Sequence, residues 1–212
     1  VGSLRAMLKR RGDRAVRRNQ SELTETATIQ RILNSTNIGR IATIDRDGYP
    51  YVTPVNFVAF EGNIYFHSAL QGEKLDNIRR EPRVCFEVDV PLAYLDIAFD
   101  PTRPTCHLHQ FYHCVIIRGT ASVVEDAGRK VDALNALIRK HEPRTHFRPV
   151  DPETPQVKAC EVVEIQPVSI TAKSDLAQGK DDVFRTRLAR YFAGRGLPGD
   201  AETSEAIMAD LD

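Results

Sequence analysis

The chain has 212 residues, with 29 Lys and Arg against 29 Asp and Glu, and it is 42% hydrophobic and 27% charged. That supply of apolar side chains supports a packed core and excludes uniform disorder, while the zero net charge argues against a strongly basic nucleic-acid binder. No apolar run approaches the roughly 18 residues that a membrane-crossing helix needs, so neither nucleic acid nor membrane is an expected partner.

Residues 1–20 form a basic arm of formal charge +6, in which Arg5, Lys9, Arg10, Arg11, Arg14, Arg17 and Arg18 outweigh Asp13. The arm has no interleaved aromatic residues for base stacking, and it reads as solvated or as an inter-subunit contact. Residues 22–34 place Leu23, Ile29, Ile32 and Leu33 at partial helical spacing behind Ser21 as N-cap. Ile38–Ile44 is short and β-branched, Asp45-Arg46-Asp47-Gly48 is a turn signal, and residues 49–60 complete a hairpin. Pro50 and Pro54 each lack an N–H donor, which predicts an edge or a bulge in that strand.

Ile64–Ser68 follows as a third strand, then residues 72–80 as a short helix with Leu75 and Ile78 on one face. Arg83–Val90 alternates apolar and polar residues, the pattern of a half-buried strand. Residues 100–105 read as a loop and 111–124 as a long strand, with Gly119 marking a bulge. Residues 126–141 form an amphipathic helix, 142–156 an irregular Pro-rich stretch, 159–172 a last strand and 182–193 a terminal helix that Gly194–Gly199 breaks. The last segment, 199–212, has a formal charge of −5.

This order predicts a mainly β fold, an antiparallel barrel with flanking helices, because hairpins and long alternating strands close on themselves and no βαβ alternation is present. The expected organisation is a basic arm (1–20), a barrel domain (21–175) and a helical extension with an acidic tail (176–212). The four cysteines, Cys85, Cys106, Cys114 and Cys160, form no Cys-x-x-Cys pair. Neither end has the apolar core of a signal peptide, so the cytoplasm is the expected compartment.

Two segments carry chemistry. In the first, a strand ends at His67-Ser68-Ala69 and a helix begins near Gly72 with Lys74 in its first turn. Backbone N–H groups at a helix start, a hydroxyl and a lysine make a phosphate cradle, and an anion would relieve a lysine set against the helix dipole. An ordinary strand–turn–helix with a surface lysine has the same sequence. The second segment, Cys106-His107-Leu108-His109-Gln110-Phe111-Tyr112-His113-Cys114, holds ligands suited to zinc or haem iron, but without paired zinc spacing. Its plainer reading is a loop and strand whose histidines lie near a cofactor or an interface, with no metal bound.

The ordered series Gly39–Asp45, Asp47–Asn56, Ile64–Ala69, Gly72–Leu75, Arg83–Asp89 and Val115–Asp126 resembles the pyridoxamine 5′-phosphate oxidase-like superfamily of FMN-binding split barrels, in the branch related to nitroimidazole-resistance proteins. The resemblance spans residues 24–172 and implies an antiparallel Greek-key split barrel. It also implies a homodimer with FMN at the interface and reduction of a small organic acceptor, as in nitroimidazole reductases or pyridoxamine-phosphate oxidases. By position, Thr53, Val55 and Asn56 would line the isoalloxazine ring; His67, Ser68 and Ala69 would meet the ribityl and phosphate end; Gly72 and Lys74 would hold the phosphate. His113 and Cys114 match positions that reach the flavin, often from the other subunit, although relatives often carry Arg-Ser there. His67 matches a histidine near the flavin, where it would donate a proton. The arginine-rich substrate-phosphate site of the oxidases proper has no counterpart in this chain. Haem binding or degradation, and flavin binding without catalysis, are the alternatives.

Overall fold

Asp45 makes the first hairpin turn by accepting hydrogen bonds at Oδ1 from the N–H groups of Asp47 (2.9 Å) and Tyr49 (2.8 Å). This is the side-chain-to-backbone bonding that suits aspartate to turns. In the computed structural model, which describes residues 17–144 and 146–211, the turn joins strands β2 (Ile38–Ile44) and β3 (Pro50–Phe60). Residues 1–16, most of the expected basic arm, lie outside the described residues.

The described chain divides into two units. The first contains Thr24–Val88 and Val115–Thr171. It opens with helix α1 (Thr26–Ser35), followed by β2 and β3, and continues through β4 (Asn63–Ser68), α2 (Glu73–Arg80) and the first part of β5 (Arg83–Leu95). The later segment brings the second part of β6 (His109–Val123), α3 (Ala127–His141), the single turn α4 (Pro155–Lys158) and most of β7 (Glu161–Asp175). The strand order β7-β4-β3-β2-β5-β6 closes through a further β6–β7 pairing, which makes the antiparallel sheet a barrel. The register confirms the expected first hairpin, with Ile38 opposite Asn56, and further pairings set Phe57 of β3 opposite Phe66 of β4 and Ser68 of β4 opposite Glu161 of β7.

At the closing seam Gly119 stands where a Cβ would lie 2.3 Å from the carbonyl oxygen of Gln166. This glycine, read from the sequence as a bulge mark, serves close backbone approach between β6 and β7. Along β6 every odd residue from Val115 to Ala121 is buried, as is Phe111. The period of two is set by the pleat.

Helix α3 packs Ala133, Ala136 and Leu137 on Val58, Tyr65, Val124 and Val162. Beside that apolar patch, Glu164 accepts from Tyr65 Oη, from Asn63 Nδ2 (2.8 Å) and from Arg129 Nη2 (2.6 Å). A carboxylate with so many donors is held below its ordinary pKa even though burial alone would raise it.

The second unit contains residues 17–23, Asp89–Cys114 and 172–211. Here strand β1 (Glu22–Leu23) pairs with β7 at Lys173 and Ala172. That pairing takes up the residues expected to begin the first helix. Ser21 is therefore not its N-cap: α1 starts after Glu25, and Ser21 is buried with its hydroxyl 3.4 Å from Gln178 Oε1. Helices α5 (Asp182–Arg195) and α6 (Asp200–Ala209) cover a core of Leu92, Leu95, Phe111, Leu176, Leu188, Phe192 and Ile207. The acidic segment beyond Gly199 is thus largely a packed helix. Its Asp200 is 1% exposed and pairs with Arg195 Nη2 at 2.6 Å, while Arg195 Nη1 holds Asp96 at 2.6 Å. Burial of an acid is tolerated because a bidentate guanidinium matches it.

Candidate functional site

The candidate residues of the first unit begin on β3. This strand pairs with β4 only from Phe57 to Phe60, while its earlier half, Pro50–Asn56, pairs with β2. Both prolines sit in the half that β4 does not reach, as their missing donors require. Side chains alternate along it. Val55 is buried and Thr53 is half-buried on the same face, whereas Val52, Pro54 and Asn56 are exposed on the other. Thr53 Oγ1 is buried and has no hydrogen-bond partner among the described residues. An unmatched buried hydroxyl costs stability unless a further group meets it.

At the end of β4, His67 is exposed and Ser68 half-buried, with Ala69 exposed just beyond. His67 shares electrostatic contact with His141 at the C-terminal end of α3. The His141 ring nitrogen Nε2 lies 3.3 Å from the carbonyl oxygen of Phe57. Burial holds His141 below its ordinary pKa; the hydrogen bond to Phe57 opposes this, and the neighbouring Lys140 cation adds to it. Next to it, Lys140 donates to the Leu33 carbonyl at 3.0 Å and lies 3.5 Å from the Phe57 ring centroid. Burial pushes Lys140 down to about 8. Sequence reasoning missed Lys140 and His141. Their only signal was the run Arg139-Lys140-His141 in a last helical turn, where bases are expected for the helix dipole alone.

The turn after β4 leads to Gly72, with φ 143° and ψ 156°, a conformation open to glycine and strained for other residues. A Cβ at Gly72 would meet nothing within 4 Å, and no side chain caps α2. Lys74, two residues on, is half-buried with Nζ 5.0 Å from the Phe66 ring centroid. Burial lowers its pKa, and it forms no ion pair among the described residues. Glu73 and Asp76 share that first turn and are both exposed. The start of α2 therefore presents open space, uncapped amides and a lysine without a counter-charge, which together suit an anionic group.

His113 and Cys114 belong to the second unit, so the candidate residues fall into two groups of eight and two. His113 Nδ1 lies 2.7 Å from the hydroxyl of the buried Ser174, and Cys114 is half-buried. The other members of the histidine and cysteine segment separate. Cys106 and His107 sit exposed in a 3-10 turn (Thr105–His107), which removes His107 from the strand parity it would share with His109 and His113. His109 opens β6, with Nε2 3.9 Å from Asp175 and its ring 4.5 Å from that of Phe111. Among the described residues no three His, Cys, Asp or Glu side chains converge as a metal set. Glu87 on β5 meets Arg40 of β2 at 3.2 Å.

The sequence matches the family model for pyridoxamine 5′-phosphate oxidase over residues 25–174. No curated protein matches it at a significant level. Several solved structures share its fold. A proposed 5-nitroimidazole antibiotic resistance protein from Bacteroides thetaiotaomicron is 22% identical, with 72% of this chain and 86% of that chain covered and a TM-score of 0.61. An FAD and heme binding protein from Mycobacterium smegmatis is 16% identical, with coverage of 84% and 82% and a TM-score of 0.64. A flavocytochrome from Azotobacter vinelandii is 18% identical, with coverage of 77% and 74% and a TM-score of 0.64.

Proposed function

This chain belongs to the pyridoxamine 5′-phosphate oxidase family, and from that membership we propose a flavin-binding oxidoreductase that uses FMN, works as a homodimer and reduces a small organic acceptor. The observation that carries the reading is the start of α2, where Lys74 has a lowered pKa and no carboxylate partner beside an open, uncapped Gly72. A ribityl phosphate would supply the missing counter-charge, with Ser68 and Ala69 at the adjoining strand end. The half of β3 not paired with β4, with the unmatched Thr53 hydroxyl, is an extended wall with spare polar groups for a flavin ring. Val55 would back that wall from the core, and Asn56 would act at its rim.

When bound, FMN supplies a ring that takes up a hydride or electrons and passes them on. The chain's own part is to hold the phosphate, orient the ring and exclude water. His67, exposed at the end of β4, is the candidate proton donor to a reduced acceptor, since imidazole changes charge near neutral pH. His113 and Cys114 would reach the flavin of the second copy.

For the second copy, the support is an apolar face on the first hairpin. Ile38 and Ile44 on β2, Val52 on β3 and Tyr49 in the turn are exposed by 37–70%, and a second copy would cover these side chains.

Reconstitution tests the reading. The purified chain mixed with FMN should retain an absorbance band near ~450 nm after desalting, and Lys74→Ala should weaken FMN binding at least about tenfold. Reduced protein should then pass electrons to a nitroimidazole or quinone faster than to oxygen; equal rates would leave flavin binding without catalysis. A haem band near ~400 nm with no flavin retained would replace FMN by haem.

A further inference from the structure

The second unit holds a cavity of about 350 Å³ that none of the roles above uses. Its wall includes two aromatic rings, Phe111 and Phe184, and three cationic side chains, Arg18, Arg103 and Lys180, against one carboxylate, Asp175. Asp175 is partly engaged already by His109, at 3.9 Å. A neighbouring hollow of about 280 Å³ shares Arg18, Ser21 and Asp175 and adds Arg17 and Lys173, so the surroundings are cationic as well.

Arg103 points to the ligand. Its guanidinium lies 5.1 Å from the Phe184 ring centroid and 5.8 Å from that of Phe99, and its buried Nη1 has no hydrogen-bond partner among the described residues. A charged donor removed from water and left unmatched is a deficit that folding alone does not repair. Arg103 sits on the wall of the cavity, so a turn of the guanidinium about its terminal torsions would bring that nitrogen to a ligand held there.

We propose that this cavity binds an aromatic carboxylate. The ring would lie against Phe111 and Phe184, and the carboxylate would take the unmatched nitrogen of Arg103 within the field of Arg18 and Lys180. The two aromatic rings on the wall favour an acid joined to a ring over inorganic phosphate, which has no apolar part to bury against them. The volume lies near the lower end of small-molecule sites, roughly 300–1,000 Å³, which favours an acid of one or two rings. None of these residues is among those proposed to hold FMN, so the two sites stand or fall separately.

Isothermal titration of the full chain with 1-naphthoate, 1-naphthalenemethanol and inorganic phosphate tests the site. The acid should bind at least about tenfold more tightly than the alcohol. Arg103→Met should remove that advantage, and Lys74→Ala should leave it unchanged. Acid and alcohol binding alike, phosphate binding to Lys74→Ala more tightly than naphthoate does, or loss of naphthoate binding in Lys74→Ala would each overturn the proposal, the last by moving the ligand to the flavin site. Should Arg103→Met fail to fold, the acid-to-alcohol ratio on the unaltered chain decides alone.

Discussion

Lys140 is a cation set among apolar groups, with a backbone carbonyl and an aromatic ring in place of a carboxylate. Its folded pKa of about 8 lies below the ordinary lysine value of 10.5. Between those values the unfolded chain binds the proton and the folded chain does not, so stability from this group rises as pH increases from about 8 to about 10.5 and is lowest below 8. Lys140→Met should therefore change the pH dependence in one direction. The stability of the unaltered chain relative to the variant should improve across that window, and parallel urea titrations at pH 7 and pH 10.5 would read it. A constant gap would show that Lys140 has the same pKa in both states. Lys74 follows the same logic with a different outcome. An anion bound beside it raises its pKa, so FMN should bind more weakly as pH climbs toward the lysine range, and that dependence should vanish in Lys74→Ala.

Elements are fastened to each other at a few points. Arg129 links α3 to β7 through Glu164, which is 9% exposed at its side chain and also holds Tyr65. Arg129→Ala leaves that carboxylate short of its charged donor, and a loss of about 2–3 kcal/mol is expected from urea unfolding. The double change Arg129→Ala with Glu164→Gln should recover part of it, because the unmatched charge is gone. Gly119→Ala forces a methyl into the Gln166 carbonyl at the barrel seam, and about 3 kcal/mol or more should be lost.

At this scale the sequence was informative about periodic elements. The hairpins, the alternating strand from Arg83 and the amphipathic helix before His141 all appear near their expected bounds. Helix α6 was not legible, because it buries only Thr203 and Ile207 beside Asp200, and its anchor is an ion pair that no periodicity encodes. The 3-10 turn at Thr105–His107 was hidden for a related reason. Its residues are all exposed, so no apolar rhythm marked the change from strand to turn. The placing of Gly72 and Lys74 at the start of α2 was legible as a pattern, whereas the unmatched hydroxyl of Thr53 depends on neighbours distant in sequence.

Over the whole chain, each unit is assembled from segments far apart in sequence. The second depends on its last two helices, since Leu188, Phe192 and Ile207 complete the core around Leu92, Leu95 and Phe111. Ending the chain at Asp175 would uncover those residues, and such a product should bind a hydrophobic dye and lose slow amide exchange at Leu92–Leu95. Removal of residues 199–212 alone should already destabilise this unit, because it takes away the acid that matches Arg195 and the fully buried Ile207.

Strand β6 has a further consequence for how the protein avoids mistakes. Its inward residues, Phe111, Val115, Ile117, Gly119 and Ala121, all occupy odd positions. A pairing error of one residue would turn every one of them toward water together and bring a side chain to the seam that tolerates none. Slippage along this strand therefore has no cheap first step. The chain need not distinguish many near-correct alignments from the right one, because the alternation makes the nearest error among the worst.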